Sequence, residues 1–491
     1  MERSSGILMH ISSLPGKFGI GTFGVEAVAF VDFLKNSGQK YWQILPLGQT
    51  SYGDSPYQCF SAFAGNPYFI DFELLKRDNF LKEEDYIDLD YGKDETSIDY
   101  SKIFIAKNKV LRIAYENSKG KIDNDLIEFK EKNKFWLEDY TLYMAVKNHF
   151  KLVSWQEWDD DIRLRKDEAI KSYKIKLKDE INYWAFVQYI FFKQWHDLKE
   201  YANSKGIKII GDIPIYVAED SADIWSNPKY FKVDKDMKPT KVAGCPPDAF
   251  SETGQLWGNP IYNWDNLEKD GYTWWIDRIR ESLKLYDVVR IDHFRGFESY
   301  WEIPYGEKTA INGKWIKGPA IKLFNAIKEE LGEVDIIAED LGMLTDEVID
   351  FRNKTGFPGM KVLQFAFGGD GSYLPHNYTK NCVVYTGTHD NDTICGWYDV
   401  TASKNEVYNA KEYLSLNYEE GIARGFIRGA FGSVAYLAIT TMQDFLALGN
   451  EARMNLPSTL GKNWKWRARK KYFTQELSES IYKLTKIYGR V

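Results

Sequence analysis

Three carboxylates in this chain sit where apolar runs give way to charge. Asp292 closes Asp287-Val288-Val289-Arg290-Ile291-Asp292, a run that reads as a short buried β-strand with Val288, Val289 and Ile291 inside. Arg290 and Asp292 are two apart, so their side chains leave the same face and can touch, which would hold Asp292 ionised. Glu339 lies at the end of a second such run, Val334 to Asp340, and Asp390 follows a third in Thr388-His389-Asp390-Asn391-Asp392-Thr393. Neighbouring strands lie about 4.8 Å apart. Two carboxyl groups from adjacent strand ends can therefore approach the roughly 5 to 5.5 Å that retaining glycoside chemistry needs. Close carboxyl groups push their proton affinities apart, which suits Asp292 as nucleophile and Glu339 as proton donor. Asp390, His293 and His389 are placed to bind sugar hydroxyls and to offset the positive charge of an oxocarbenium-like transition state. Metal ligation is the competing use of such residues. The histidines are not paired at helical i, i+4 spacing and no DxDxDG loop occurs, so no metal or other cofactor is expected.

These residues need strands to mount them, and the chain supplies eight candidates: Gly6–Ile11, Tyr41–Leu47, Ile207–Asp212, Asp287–Asp292, Val334–Asp340, Met360–Phe365, Cys382–Thr386 and Leu437–Gln443. Helical stretches alternate with them. One is predicted to start at Thr345, with Asp346 and Glu347 in its first turn, and to end at Gly356. The expected fold is α/β: one (β/α)₈ barrel with long, largely helical insertions after the second and third strands. The first insertion covers about 68–204. The second, about 214–285, reads as loop and helix and carries a Gly/Pro-punctuated segment suited to a lid. About fifty residues follow the eighth strand, which leaves no room for a C-terminal β-sandwich. A doubly wound open sheet is the alternative, weakened because no Gly-rich phosphate fingerprint follows a strand.

Composition narrows the partners. With 64 Lys+Arg against 71 Asp+Glu the net charge is -7, so nucleic acid is not expected to bind. The chain starts without an apolar leader and contains no run long enough to span a membrane, which predicts a cytoplasmic protein. Four scattered cysteines without a CxxC pair fit a reducing compartment. The 16 Trp and 32 Tyr exceed what a core usually takes, and their flat apolar faces with polar edges suit sugar rings.

Seven motifs in order carry a family resemblance: SPYQ with FAGNPY (55–68), GDIPIYVAEDSADIW (211–225), PPDAFSETGQLWGNPIY (246–262), VVRIDHFRG (288–296), IAEDLG (337–342), TGTHDNDT (386–393), and EARMNLP with NWKWR (451–467). The chain resembles the amylomaltases, the 4-α-glucanotransferases of glycoside hydrolase family 77 in the α-amylase clan, over essentially its whole length. The resemblance implies that Asp292 forms a covalent glycosyl-enzyme, that Glu339 is the general acid/base and that Asp390 stabilises the transition state. It implies Arg290, His293 and His389 as supporting residues, Tyr57, Asp212, Asp340 and Asn463 on the donor side, and Phe250, Gln255 and Trp257 on the acceptor side. Where many relatives place two aromatics together, this chain has Ala249 before Phe250, which leaves less surface to grip an acceptor glucan.

The implied reaction moves α-1,4-glucan segments between maltooligosaccharides or starch- and glycogen-derived glucans, with donor and acceptor glucans as the only partners and no obligate protein partner. A plain α-1,4-glucan hydrolase would use the same carboxylates, and a loop that covers the site favours transfer because it keeps water from the intermediate. A catalytically dead sugar-binding barrel would typically have lost one of the three carboxylates, and all three are present.

Overall fold

A computed structural model describes residues 2–51, 53–247, 251–342 and 344–491. Eight parallel strands form one sheet: Ser4–Leu8, Tyr41–Gln43, Lys208–Pro214, Val288–Asp292, Ile336–Ala338, Gly359–Val362, Cys382–Tyr385 and Leu437–Thr441. The first strand pairs with both the second and the eighth, and every further pairing joins neighbours in chain order. Between the fifth and sixth strands the ladder is replaced by single bonds. The N–H of Ala338 donates to Pro358 O at 3.0 Å, and that of Met360 donates to Asp340 Oδ1 at 2.7 Å. The result is the expected (β/α)₈ barrel.

Each strand is short and nearly all buried because it has side chains on both faces to cover, barrel interior on one and helices on the other. The helix predicted to end at Gly356 spans Asp346–Thr355, with Gly356 at φ 75° as its left-handed terminator. Thr345 occupies the N-cap position without a side-chain cap bond to the backbone.

Between the second and third strands the chain is helical, including Tyr100–Ser118, Lys134–His149 and Lys178–Ser204. The excursion after the third strand departs from the loop-and-helix expectation. It contributes Lys241–Cys245 and Gln255–Pro260 to a four-stranded antiparallel sheet whose other half, Ser299–Pro304 and Lys314–Lys317, comes from an excursion after the fourth strand. The physical reason is burial: Val242, Ile303 and Ala310 bury their side chains together, with Trp301 packed against them, a cluster neither excursion could form alone.

Candidate active site

The fourth and fifth strands mount the central pair. Their register sets Ile291 opposite Ala338, so Asp292 and Glu339, one residue further on, emerge side by side at the carboxyl ends of the strands. The backbone keeps them there: Glu339 N–H donates to Ile291 O at 3.1 Å and Phe294 N–H to Glu339 O at 3.0 Å. His293 takes a left-handed backbone conformation, φ 53°, and turns its N–H onto Glu339 Oε2 at 2.6 Å. The N–H of Leu341 reaches the other oxygen, Oε1, at 2.9 Å. Two backbone donors on a strand-end carboxyl fix its direction without any flexible side chain.

Arg290 lies behind Asp292, but its first partner comes from another strand. Its Nη1 is 2.6 Å from Asp212 Oδ2 and 3.2 Å from Asp292 Oδ1, and Asp212 is completely buried. The same Asp212 oxygen accepts the Tyr57 hydroxyl at 2.9 Å. Asp212 therefore seats Arg290 and Tyr57 from behind. The Tyr57 ring stacks on His389, centroids 5.1 Å apart and planes at 17°, with Trp464 tilted against both. His389 Nε2 lies 3.4 Å from Asp390 Oδ2, and Asn455 donates its side-chain N–H to Asp390 Oδ1 at 2.6 Å. Arg453 binds both neighbours of that contact, the main-chain oxygens of Asp390 and Asn455.

The electrostatics follow from this crowding. Burial pushes the Glu339 carboxyl above the usual range, opposed by Arg290 and by its two amide donors. Burial also raises Asp292, again with Arg290 opposing and Glu339 adding repulsion. Arg290 faces Asp212, Asp292 and Glu339 together, one cation against three carboxyl groups. Crowding of like charge beside a single cation favours a proton shared within the Asp292–Glu339 pair. The expected contact between Arg290 and Asp292 is present, and the shorter bond of the same nitrogen to Asp212 means that the guanidinium is shared between the two carboxylates. Burial depresses both imidazoles, His293 to about 3 with help from Arg295, so both are neutral hydrogen-bonding groups at neutral pH. Among the described residues, no group of three or more His, Cys, Asp or Glu is placed to hold a metal ion.

On the other side of the pair, Trp257 meets the His293 ring edge to face at 4.8 Å and donates its indole N–H to Gln255 Oε1 at 3.1 Å. The antiparallel sheet thus reaches His293, whose main-chain N–H holds Glu339, through Trp257, with Gln255 bonded to that ring. Phe250 lies outside the described residues. Asp340 and Asn463 do not join the cluster. Asp340 is 3% exposed and gives its carboxylate to Arg352 and to Met360 N–H, closing the barrel seam against Gly359, where a Cβ would lie 2.4 Å from Asp340 Oδ2. The Asn463 amide bonds Leu456 and Thr459 in its own loop. The residue that sequence reasoning missed is Asn455; EARMNLP was recognised as a motif, but nothing in the string says which of its side chains turns to Asp390.

Residues 9–473 match the family model described as 4-alpha-glucanotransferase. The chain belongs to the 4-alpha-glucanotransferase family. It is 63% identical to the 4-alpha-glucanotransferase of Clostridium butyricum over 98% of this chain and all of that one. It is 54% identical to that of Streptococcus pneumoniae, covering all of this chain and 98% of the relative. Among solved structures, the amylomaltase of Streptococcus agalactiae in complex with acarbose superposes with a TM-score of 0.97 at 46% identity, each chain fully covered. Against this family background, no helix among the described residues is long and apolar enough to cross a membrane.

Proposed function

We propose that this 4-alpha-glucanotransferase moves α-1,4-glucan segments between maltooligosaccharides by a retaining double displacement centred on Asp292 and Glu339. In the first step an Asp292 oxygen bonds to the anomeric carbon while the bond from that carbon to the glycosidic oxygen breaks. The proton held by the carboxyl pair passes through Glu339 to the departing 4-oxygen. In the second step Glu339 takes the proton of an incoming 4-hydroxyl, whose oxygen replaces Asp292 with retention overall. Asp390, aimed by Asn455 and beside a neutral His389, faces the positive charge that develops at the sugar ring in both steps. Arg290, held by Asp212, supports Asp292 as it leaves. Gln255 and Trp257 border the acceptor.

The observation that supports this reading best is the strand register that sets Asp292 beside Glu339, together with the two amide donors on Glu339. Exchange of one α-1,4 bond for another has a driving force near zero. Pure maltotriose should therefore yield glucose together with maltopentaose and longer chains while total reducing ends stay almost constant, with no metal, phosphate or nucleotide added. If reducing ends rise in step with maltotriose loss and no product exceeds the substrate in length, the same carboxylates serve hydrolysis.

A further inference from the structure

Away from the carboxylates, a cavity of about 140 Å³ opens between the helices and the excursion after the third strand. Its walls come from four separate pieces of chain. Phe63 stands on the segment after the second strand, Phe135 and Trp136 begin the helix Lys134–His149, Asp223 belongs to Ala222–Ser226, and Trp274 opens Thr273–Leu285. The rings form a box. Phe63 is nearly parallel to Trp136 (17°, 6.3 Å) and nearly perpendicular to Phe135 (85°, 5.5 Å) and to Trp274 (81°, 6.0 Å). Phe135 is 50% exposed, so a flat apolar face stands at the rim where packing does not need it. Trp274 is 6% exposed, and its indole nitrogen has no hydrogen-bond partner among the described residues.

The polar lining selects the ligand. Asp139 is paired with Arg165 at 2.6 Å, and Asp277 is paired with Arg280. Asp223 is 4% exposed and accepts Ala62 N–H at 2.8 Å, with burial raising its carboxyl to about 6. Two of the three carboxylates are thus already paired with guanidinium groups and the third is buried on a main-chain N–H, so the lining offers a cation no cluster of unpaired carboxylates. A purely apolar molecule would cut off from water Asp223 and the amide of Asn227, which donates to Ser226 Oγ and also lines the cavity. A neutral polyol with apolar ring faces satisfies both sets of groups. Ser61 and Phe63 also line the cavity that contains Tyr57 and Asp212, so the box shares a wall with the catalytic side.

We propose that this aromatic box binds a neutral α-glucan end, with a glucose ring against Phe135, as a site separate from the carboxylate pair. The ligand's identity as a glucan rests on the function proposed above. The test uses the full chain carrying Asp292→Asn, titrated calorimetrically with maltoheptaose. Two classes of site are expected. Adding Phe135→Ala should weaken one class about fivefold, the scale of one aromatic contact, and leave the other in place. Phe135→Trp should restore it. A single class of site, or two classes both indifferent to Phe135→Ala, overturns the proposal. Failure of the underlying function is read separately, as the absence of a product ladder from maltotriose with the unsubstituted protein.

Discussion

The barrel and the antiparallel sheet both present residues to the same site, yet they are built differently. Asp292 and Glu339 stand on strands buried on both faces, and their positions are set by main-chain hydrogen bonds and by an ion pair that is itself buried. Gln255 and Trp257 stand on a half-exposed strand of a sheet whose own apolar cluster is Val242, Ile303 and Ala310, with Trp301 against it. Leu256 and Trp315 remain 37% and 39% exposed. Stability follows buried contact, so the frame that holds the reacting carboxyls should be far harder to open than the sheet that borders the second sugar. On the function proposed above, the groups that make and break bonds are fixed within the barrel, while the wall assigned to the acceptor can adjust.

The largest effects should come from the barrel residues. Asp292→Asn and Glu339→Gln should each lower transfer from maltotriose by about 10³-fold or more, with folding intact. They should part company with α-glucosyl fluoride, whose leaving group needs little protonation. The Glu339 variant should still release fluoride in a first turnover, and the Asp292 variant should not. Equal inactivity of both folded variants toward the fluoride would reverse or merge the proposed roles.

Next comes the buried ion pair. Arg290→Met removes the shared cation and leaves Asp212, completely buried, facing Asp292 without compensation. Loss of one partner of a buried pair costs about 3 to 5 kcal/mol, so the denaturant midpoint should fall sharply along with activity. A midpoint near that of the unsubstituted chain would mean that the Arg290–Asp212 pair does not support the frame.

The contrast between barrel and sheet also explains what could be read in the sequence. All eight barrel strands were legible as short, largely apolar runs, three of them closed by a carboxylate, separated by helical stretches, which is what strands buried on both faces require. Their ends were less so: the first strand was expected at Gly6–Ile11 and spans Ser4–Leu8. The antiparallel sheet was not legible. Lys314-Trp315-Ile316-Lys317 is four residues long and mostly exposed, and its partner strand is contributed across a reversal that no local pattern announces. The site shows the same limit. Spacing identified Asp292 as a neighbour of Arg290 two residues away, but the closer partner, Asp212, is 78 residues distant. Asp340 was recoverable, since consecutive strand residues point to opposite faces and Glu339 already claims the barrel mouth. Asn455 and Asn463 lie in irregular loops, where no period assigns a direction.

A pH experiment sharpens the picture of the barrel. His10 is 5% exposed, and its Nδ1 accepts Leu45 N–H at 3.2 Å, which requires the neutral ring. Burial, with His389 adding to it, lowers this imidazole to about 3. The unfolded chain binds a proton there near 6.5, so between those values the unfolded state holds more protons than the native one. The stability contributed by the neutral ring is fully present above about pH 6.5 and is lost as pH falls toward 3. Denaturant midpoints at pH 7, 5 and 4 should decline, and His10→Gln should flatten the decline. An unchanged slope in that variant would exclude His10 as its source.

On the sheet, Trp257→Ala removes the ring that meets His293 edge to face. Acceptor KM should rise by about tenfold or less, the scale of one aromatic contact, while fluoride release in the first turnover is retained. Loss of that first step would show that Trp257 supports the donor side or the carboxylates themselves.

The smallest expected effect tests whether the sheet is held as loosely as its contacts suggest. Tyr305, 44% exposed, follows the strand Ser299–Pro304 and donates its hydroxyl to Glu219 Oε1 at 2.9 Å; Glu219 Oε1 also accepts the Gln156 side chain at 2.7 Å. One carboxylate thus joins the excursion after the fourth strand to the segment after the third and to the helical stretch between the second and third. Tyr305→Phe deletes a single partly exposed hydrogen bond, worth about 0.5 to 1.5 kcal/mol at most. If the barrel carries the stability, the denaturant midpoint should scarcely move, and Asp292 and Glu339 should turn over the fluoride at the original rate. What should change is the competition between water and sugar for the glycosyl-enzyme, because a less constrained sheet admits more water. The ratio of reducing ends released to chains lengthened should rise about twofold, in line with the loss of a few tenths of a kcal/mol of discrimination. An unchanged ratio with a lowered midpoint would invert the comparison, making this clasp a support of the frame rather than of the acceptor wall.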